Sequence, residues 1–258
     1  MDYVVRLEQG RARHPSAQVL GSLTRALRLS KDERDFLYRC AGLAPPPTSQ
    51  VSEHVPSGVH QIMTRLEDFP LALFSPAWQL ITWNRLWAAL HGDPRRLPVR
   101  DRNLVRVVFG APDGNALRTG RSAKGPEHFR AALVADLRSA VAAHPLDDRL
   151  AELVAALRRD SADFERMWRT GQVAGHMSDR KTVEHPQVGE ITLDCDVLAV
   201  SGSELKLVLY TAAAGSEDAG KLDLLRVLPP IPEVPRPASG TERVGNGTGE
   251  EPSPGQTR

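Results

Sequence analysis

Apolar residues recur at helical spacing through the first 43 positions. Val4 and Leu7, with Tyr3 beside them, mark a short helix over 2–9. Pro15-Ser16 opens a second pattern in which Val19, Leu20, Leu23, Ala26 and Leu27 recur, with Ser16 as the expected N-cap. A third begins at the capping box Ser30-Lys31-Asp32-Glu33, carries Phe36, Leu37 and Cys40, and ends at Gly42, a C-cap residue. Residues 44–56 hold the run Pro45-Pro46-Pro47, which is stiff and cannot continue a helix, so they read as a linker.

Between 57 and 228 the period changes twice. Val59, Ile62, Met63 and Leu66 predict an opening helix. LALF at 71–74 and QLITW at 79–83 flank Ser75-Pro76 and predict a hairpin. Helical stretches follow at 84–91 and 100–109, then a long helix carrying Phe129, Leu133, Val134, Leu137 and Val141. Leu150, Leu153, Val154 and Leu157 mark the next helix, and Phe164, Met167 and Trp168 another. Strict alternation then takes over. Ile191, Leu193, Cys195 and Val197 alternate with polar residues, as do Leu205, Leu207 and Leu209 before Thr211. These are two antiparallel strands with one face each on a core. The fold class is α+β: a small all-α headpiece over 1–43, then a domain over 57–228 with one small antiparallel sheet and several helices.

Composition narrows the function classes. The 258 residues are 41% apolar and 25% charged with a formal net charge of +1, so no overall basic excess points to nucleic acid. Residues 1–43 carry eight Lys or Arg against five Asp or Glu, so any such surface is local. Residues 229–258 contain seven Pro and five Gly and read as a disordered tail. Cys40 and Cys195 form no CxxC pair, which suits a reducing cytoplasm and excludes a cysteine zinc site. No apolar run approaches the roughly 18 residues that span a bilayer, and no signal core opens the chain. The His residues show no HExxH spacing, and neither GxSxG, a GK[ST] phosphate loop nor GxGxxG occurs. Enzyme chemistry has no support here, and no metal or other cofactor is implied.

Two sets of residues carry a resemblance. Tyr3, Leu7-Glu8-Gln9-Gly10-Arg11, Pro15-Ser16, Leu23, Ala26-Leu27, Leu29, Glu33, Leu37 and Ala41-Gly42-Leu43 resemble the later part of a phage-repressor-type (XRE-family) helix-turn-helix domain. In that family the helix ending Leu-Glu-x-Gly is the recognition helix. By this resemblance the chain starts at that helix, without the two that precede it. Trp83-Asn84, Arg102-Asn103-Leu104, His144-Pro145, Phe164-x-x-x-Trp168, Lys181, His185-Pro186-x-Val188-Gly189-x-Ile191-x-Leu193, Val208-x-Tyr210-Thr211 and Gly215-Ser216 are similar to the MmyB-like ligand-binding domain of bacterial transcription regulators. The resemblance implies a PAS-like fold that takes a small apolar, fatty-acid-like ligand, behind a headpiece that reads double-stranded operator DNA, expected as a homodimer. It also implies a cytoplasmic protein with no membrane partner.

The candidate contacts follow, each with an ordinary alternative. Tyr3 and Arg6 lie on the expected recognition helix, where an arginine reads a guanine edge; the alternative is a plain amphipathic surface helix. Arg11 and Arg13 follow it and are candidates for phosphate contacts, or an ordinary basic loop. Trp83, Trp87, Phe109, Phe129, Phe164 and Trp168 are candidates for the wall of a ligand cavity, or simple core packing. Arg102 and Asn103 open an apolar helix and are candidates for anchoring a carboxylate. The alternative is helix capping by Asp101 and Asn103 beside solvated arginines.

Overall fold

The computed structural model describes residues 5, 7, 9, 15–29, 31–46, 50–110, 117–171 and 178–228. Tyr3, Arg6, Arg11 and Arg13 lie outside the described residues, as do Ser30 and the tail 229–258.

Helices α1 (Ala17–Ala26) and α2 (Lys31–Cys40) come first. Ser16 caps α1, its hydroxyl accepting from the Val19 amide at 3.4 Å. The two helices meet where the Tyr38 hydroxyl donates to the Ala17 carbonyl at 3.1 Å, next to the fully buried Leu20. Two residues that the pattern places inside are outside: Leu27 is 64% and Phe36 67% exposed. Tyr38 takes the inward face of α2, and a two-residue offset turns Phe36 roughly 200° around the helix.

The larger unit starts with α3 (Ser57–Arg65), then β1 (Leu71–Phe74) and β2 (Leu80–Trp83), the expected hairpin. After α4 (Arg85–His91), the single helix expected over 100–109 is split. A 3-10 turn at Val99–Arg102 ends before α5 (Leu104–Phe109), because Asn103 takes the N-cap position. Strand β3 (Arg121–Ser122) precedes α6 (Pro126–Ala143), α7 (Asp148–Asp160) and α8 (Ala162–Thr170), which stand where the apolar spacing predicts them. Then come β4 (Asp179–His185), β5 (Gly189–Ala199), β6 (Lys206–Thr211) and α9 (Glu217–Val227). Strand β4 and helix α9 are not predicted by the pattern. DRKTVEH is too charged to read as a strand, and α9 places only Leu222 and Leu225 inside.

The strands form one sheet in the order β2-β1-β6-β5-β4-β3, every neighbour antiparallel. Both faces are covered. Leu71, Leu73, Leu205 and Leu207 meet Val59 and Met63 of α3 on one face. Ala72, Phe74, Val183, Ile191, Leu193, Cys195, Val208 and Tyr210 join the larger core on the other, under α4 to α9. This revises the reading of β6: its leucines serve the smaller cluster, while Val208 and Tyr210 face the main core. Chain preceding α3 is also held. Val51 is 7% exposed in the main core, and its amide donates to the Asp147 carboxylate at 2.8 Å, at the start of α7. Among the described residues, no helix is long and apolar enough to cross a membrane.

Candidate functional site

A cavity of about 40 Å³ lies between the main-core face of the sheet and the helices. Phe74 and Val208 line it from the sheet, Trp87 from α4, Leu104 and Val107 from α5, and Phe129 from α6. The volume exceeds the ~15 Å³ that one water needs but is far below the ~300 Å³ at which ligand pockets begin. It shares Val107, Leu117, Thr119, Gly120 and Phe129 with a surface groove of about 750 Å³ between α5, β3 and α6. Gly120 lies close against β4 at this junction. A Cβ there would stand 3.0 Å from the Lys181 Cβ and 3.2 Å from the Val183 Cγ2.

One end of the cavity is polar. In the register of the sheet, Asp179 of β4, Cys195 of β5 and Tyr210 of β6 form a single cross-strand row on the main-core face, and Lys181 lies two residues along β4 on that face. The Cys195 thiol and Tyr210 hydroxyl are cross-strand neighbours, and burial pushes the pKa of both upward, so both are neutral at pH 7. The His91 ring lies 4.9 Å from that of Tyr210 and 4.7 Å from that of Trp87, centroid to centroid. Burial pushes the His91 pKa down to about 3, so the ring is neutral. Its Nδ1 donates to the Arg118 carbonyl at 2.7 Å, leaving Nε2 a buried acceptor with no hydrogen bond to a described residue.

Two cations complete that end. Lys181 is 5% exposed and makes no hydrogen bond or ion pair with a described residue. Its Nζ stands 3.4 Å from the centroid of Phe129, and burial lowers its pKa. Arg118 donates through Nε to the Leu90 carbonyl at 3.3 Å, while one of its terminal nitrogens is buried without a hydrogen bond among the described residues. Burial lowers its pKa too.

A strained aromatic forms another part of the wall. Trp78 is 1% exposed and adopts a φ of +62°, a region that disfavours a bulky side chain by about 1–3 kcal/mol. Tertiary contacts hold it there. Its indole Nε1 donates to the Asp136 carboxylate at 3.0 Å, Asp136 pairs with Lys206 at 2.7 Å, and the Lys206 Nζ lies 4.5 Å from the indole centroid.

Of the aromatics singled out from the sequence, Trp87 and Phe129 line the cavity, and the other singled-out residues are dispersed. Arg102 lines the cavity, but its Nε donates to the Leu97 carbonyl and its guanidinium sits 5.8 Å from the Trp83 ring. Asn103 does not line it. Its Oδ1 accepts from the Val105 and Arg106 amides and its Nδ2 donates to the Ala77 carbonyl, so it caps α5. Trp83 faces a surface groove between β2, α4 and α9. Phe109 meets Phe164 edge-on at 5.2 Å, and Phe164 stacks with Trp168 at 5.5 Å, a row within the helical layer away from the cavity. Conversely, the sequence reading assigned no role to His91, Arg118, Lys181 or Tyr210. One signal was available: in DRKTVEH, Lys181 shares the parity of Val183, so a strand there points a lysine inward.

Among the described residues, no group of three or more His, Cys, Asp or Glu is placed to hold a metal ion. Comparison with curated proteins gives no match. Residues 55–225, which contain the whole sheet, the cavity and its polar end, match the MmyB-like transcription regulator ligand binding domain; the chain belongs to that family and carries a transcription-regulator ligand-binding module.

Proposed function

We propose that this chain is a DNA-binding transcriptional regulator whose larger domain is PAS-like and senses a small apolar, fatty-acid-like ligand. The observation that carries the reading is the apolar cavity within the matched domain, with the larger groove beside it. The apolar body of the ligand lies along Val107, Val108, Leu117 and Phe129. Filling a cavity of about 40 Å³ requires its walls to part, and a ligand that prefers the parted state shifts the population toward it. The antiparallel order β2-β1-β6-β5-β4 supports the PAS-like reading.

DNA binding rests on the resemblance of residues 3–43 and on the regulator family. Tyr3 and Arg6 supply sequence discrimination, and Arg11 and Arg13 supply phosphate contacts. Two headpieces of a homodimer meet paired half-sites, and the ligand changes their spacing through linkage. The test is an electrophoretic shift assay on the promoter next to the gene, with and without a medium-chain fatty acid. Retardation that the fatty acid changes supports the proposal. Arg6→Ala is expected to lose discrimination at one base pair worth about 1–3 kcal/mol, and Arg11→Ala to reduce the salt slope by about one. No retardation at any salt concentration overturns the DNA-binding part.

A second reading is a ligand-binding or protein-interaction module without DNA binding of its own. It is favoured by α1 and α2, whose described residues bury Leu20 and Tyr38 but leave Leu27 and Phe36 exposed. A binding response to fatty acid with no response to DNA supports it.

A further inference from the structure

Of the lysines whose side chains are described, Lys124 donates to the Ser178 carbonyl at 3.0 Å, Lys206 pairs with Asp136 at 2.7 Å and Lys221 pairs with Glu217 at 2.7 Å. Lys181 differs from them. It is 5% exposed, lines the cavity, and makes no hydrogen bond or ion pair with a described residue. Its Nζ rests 3.4 Å from the centroid of the Phe129 ring, a contact that offsets only part of the cost of desolvating an ammonium. Burial therefore moves Lys181 toward the neutral amine, the form with a free lone pair. A desolvated lysine in an apolar pocket is thereby activated as a nucleophile toward carbonyl carbon. The surroundings fit the product as well. Asp179 shares the main-core face of β4 with Lys181 and is the carboxylate that acts on it, and its Oδ1 is buried without a hydrogen bond among the described residues. It can hold a proton between steps and can serve as counter-charge to an iminium. Burial keeps Cys195 a thiol, so it is not a competing nucleophile.

We propose that Lys181 is a covalent carbonyl-capturing site, at which the lysine amine condenses with an aliphatic aldehyde to form an imine. The proposal rests on the reading of the cavity as a ligand site, and goes beyond it in naming a different ligand class and a reversible covalent bond, which a carboxylate cannot form. The step balances without oxidant or reductant. The Lys181 nitrogen gives up a proton and its lone pair forms the bond to the carbonyl carbon, whose oxygen takes up a proton to give a carbinolamine. The carbon–oxygen bond then breaks and the oxygen leaves as water, carrying two protons that the ammonium and its partner carboxylate supplied. What remains is the iminium beside Asp179. A volume of about 40 Å³ suits the carbonyl group, and the wall shared through Val107, Leu117 and Phe129 lets the alkyl chain run toward the groove. Hydrolysis needs water at the same carbon, and the burial of Lys181 limits its access.

The test incubates the full chain with decanal and cyanoborohydride at pH 7 and maps the adducts by peptide mass spectrometry. The reductant turns the imine into a stable secondary amine, so each adduct adds the mass of decanal less one oxygen. Lys181 is expected to label at least roughly tenfold faster than Lys124, Lys206 or Lys221, because a cavity that holds the aldehyde against the amine makes the step intramolecular. Decanoate has a chain of equal length and forms no imine. It is expected to slow the labelling of Lys181 and to leave that of Lys124 unchanged. Lys181→Met, which keeps the stem, is expected to lose the fast phase while its other lysines label as in wild type. Decanoate binding by calorimetry, with Lys181 labelled no faster than Lys124, overturns the proposal and leaves the ligand reading of the cavity standing. Fast labelling of Lys181 that saturating decanoate does not slow overturns its placement in the ligand site. Neither decanoate binding nor an adduct at Lys181 overturns the ligand reading and this proposal with it.

Discussion

Replacing Asn103 by alanine separates two roles that its position allows. The side chain accepts from the Val105 amide at 3.0 Å and the Arg106 amide at 3.3 Å, and donates to the carbonyl of Ala77, itself 3% exposed, at 2.9 Å. Loss of an N-cap costs about 1 kcal/mol. Leaving a buried carbonyl without its donor costs about 1–3 kcal/mol more. Asn103→Ala is therefore expected to destabilise the domain by about 2–4 kcal/mol, which at roughly 2–4 °C per kcal/mol lowers the melting temperature by on the order of 10 °C. Asn103→Ser keeps a capping oxygen but is too short to hold Ala77, so about half of the loss is expected. Scanning calorimetry of the three proteins measures this, with decanoate titration beside it. An unchanged melting temperature in Asn103→Ala, with ligand affinity lost, refutes the capping account and returns Asn103 to a ligand-anchoring role.

Three further outcomes follow from the same contacts. His91 has a folded pKa of about 3 against an ordinary 6.5, so the unfolded chain binds the proton first. The stability this neutral ring contributes is present above pH 6.5 and declines as pH falls toward 3, by about 5 kcal/mol in all; urea unfolding across that range should show the slope, and His91→Phe should remove it. Gly120→Val drives a side chain against Lys181 and Val183 at the junction of cavity and groove. It is expected to cost about 1–3 kcal/mol and to abolish decanoate binding, and undiminished binding would contradict that junction as the ligand's path. Asp136→Ala strands the largely buried Lys206 and releases the Trp78 indole, with an expected loss of about 3 kcal/mol and a red-shifted tryptophan emission. An unchanged spectrum would show that Asp136 does not hold the indole.

Local pattern alone determined much of this molecule. The cap at Ser16, the hairpin over 71–83, the helices beginning at Pro126, Asp148 and Ala162, and the strands beginning at Gly189 and Lys206 follow from apolar spacing and turn residues. Such features depend on neighbours within a few positions. Other features were decided only when the chain closed on itself. Alternation in β6 shows Leu205, Leu207 and Leu209 as a core face, yet a sheet covered on both sides has no solvent face, and Val208 and Tyr210 reach the larger core. Strand β4 carries too much charge to read as a strand, because its pairing with β5, rather than its composition, makes it one. The candidate site is least legible of all. His91, Arg118, Lys181, Cys195 and Tyr210 come from four separate elements and a connecting segment, and nothing in the local pattern brings them together. Composition says that lysine and arginine stay outside; only the register of the sheet and the roof of helices put two of them in one apolar cavity, where desolvation lowers the pKa of both.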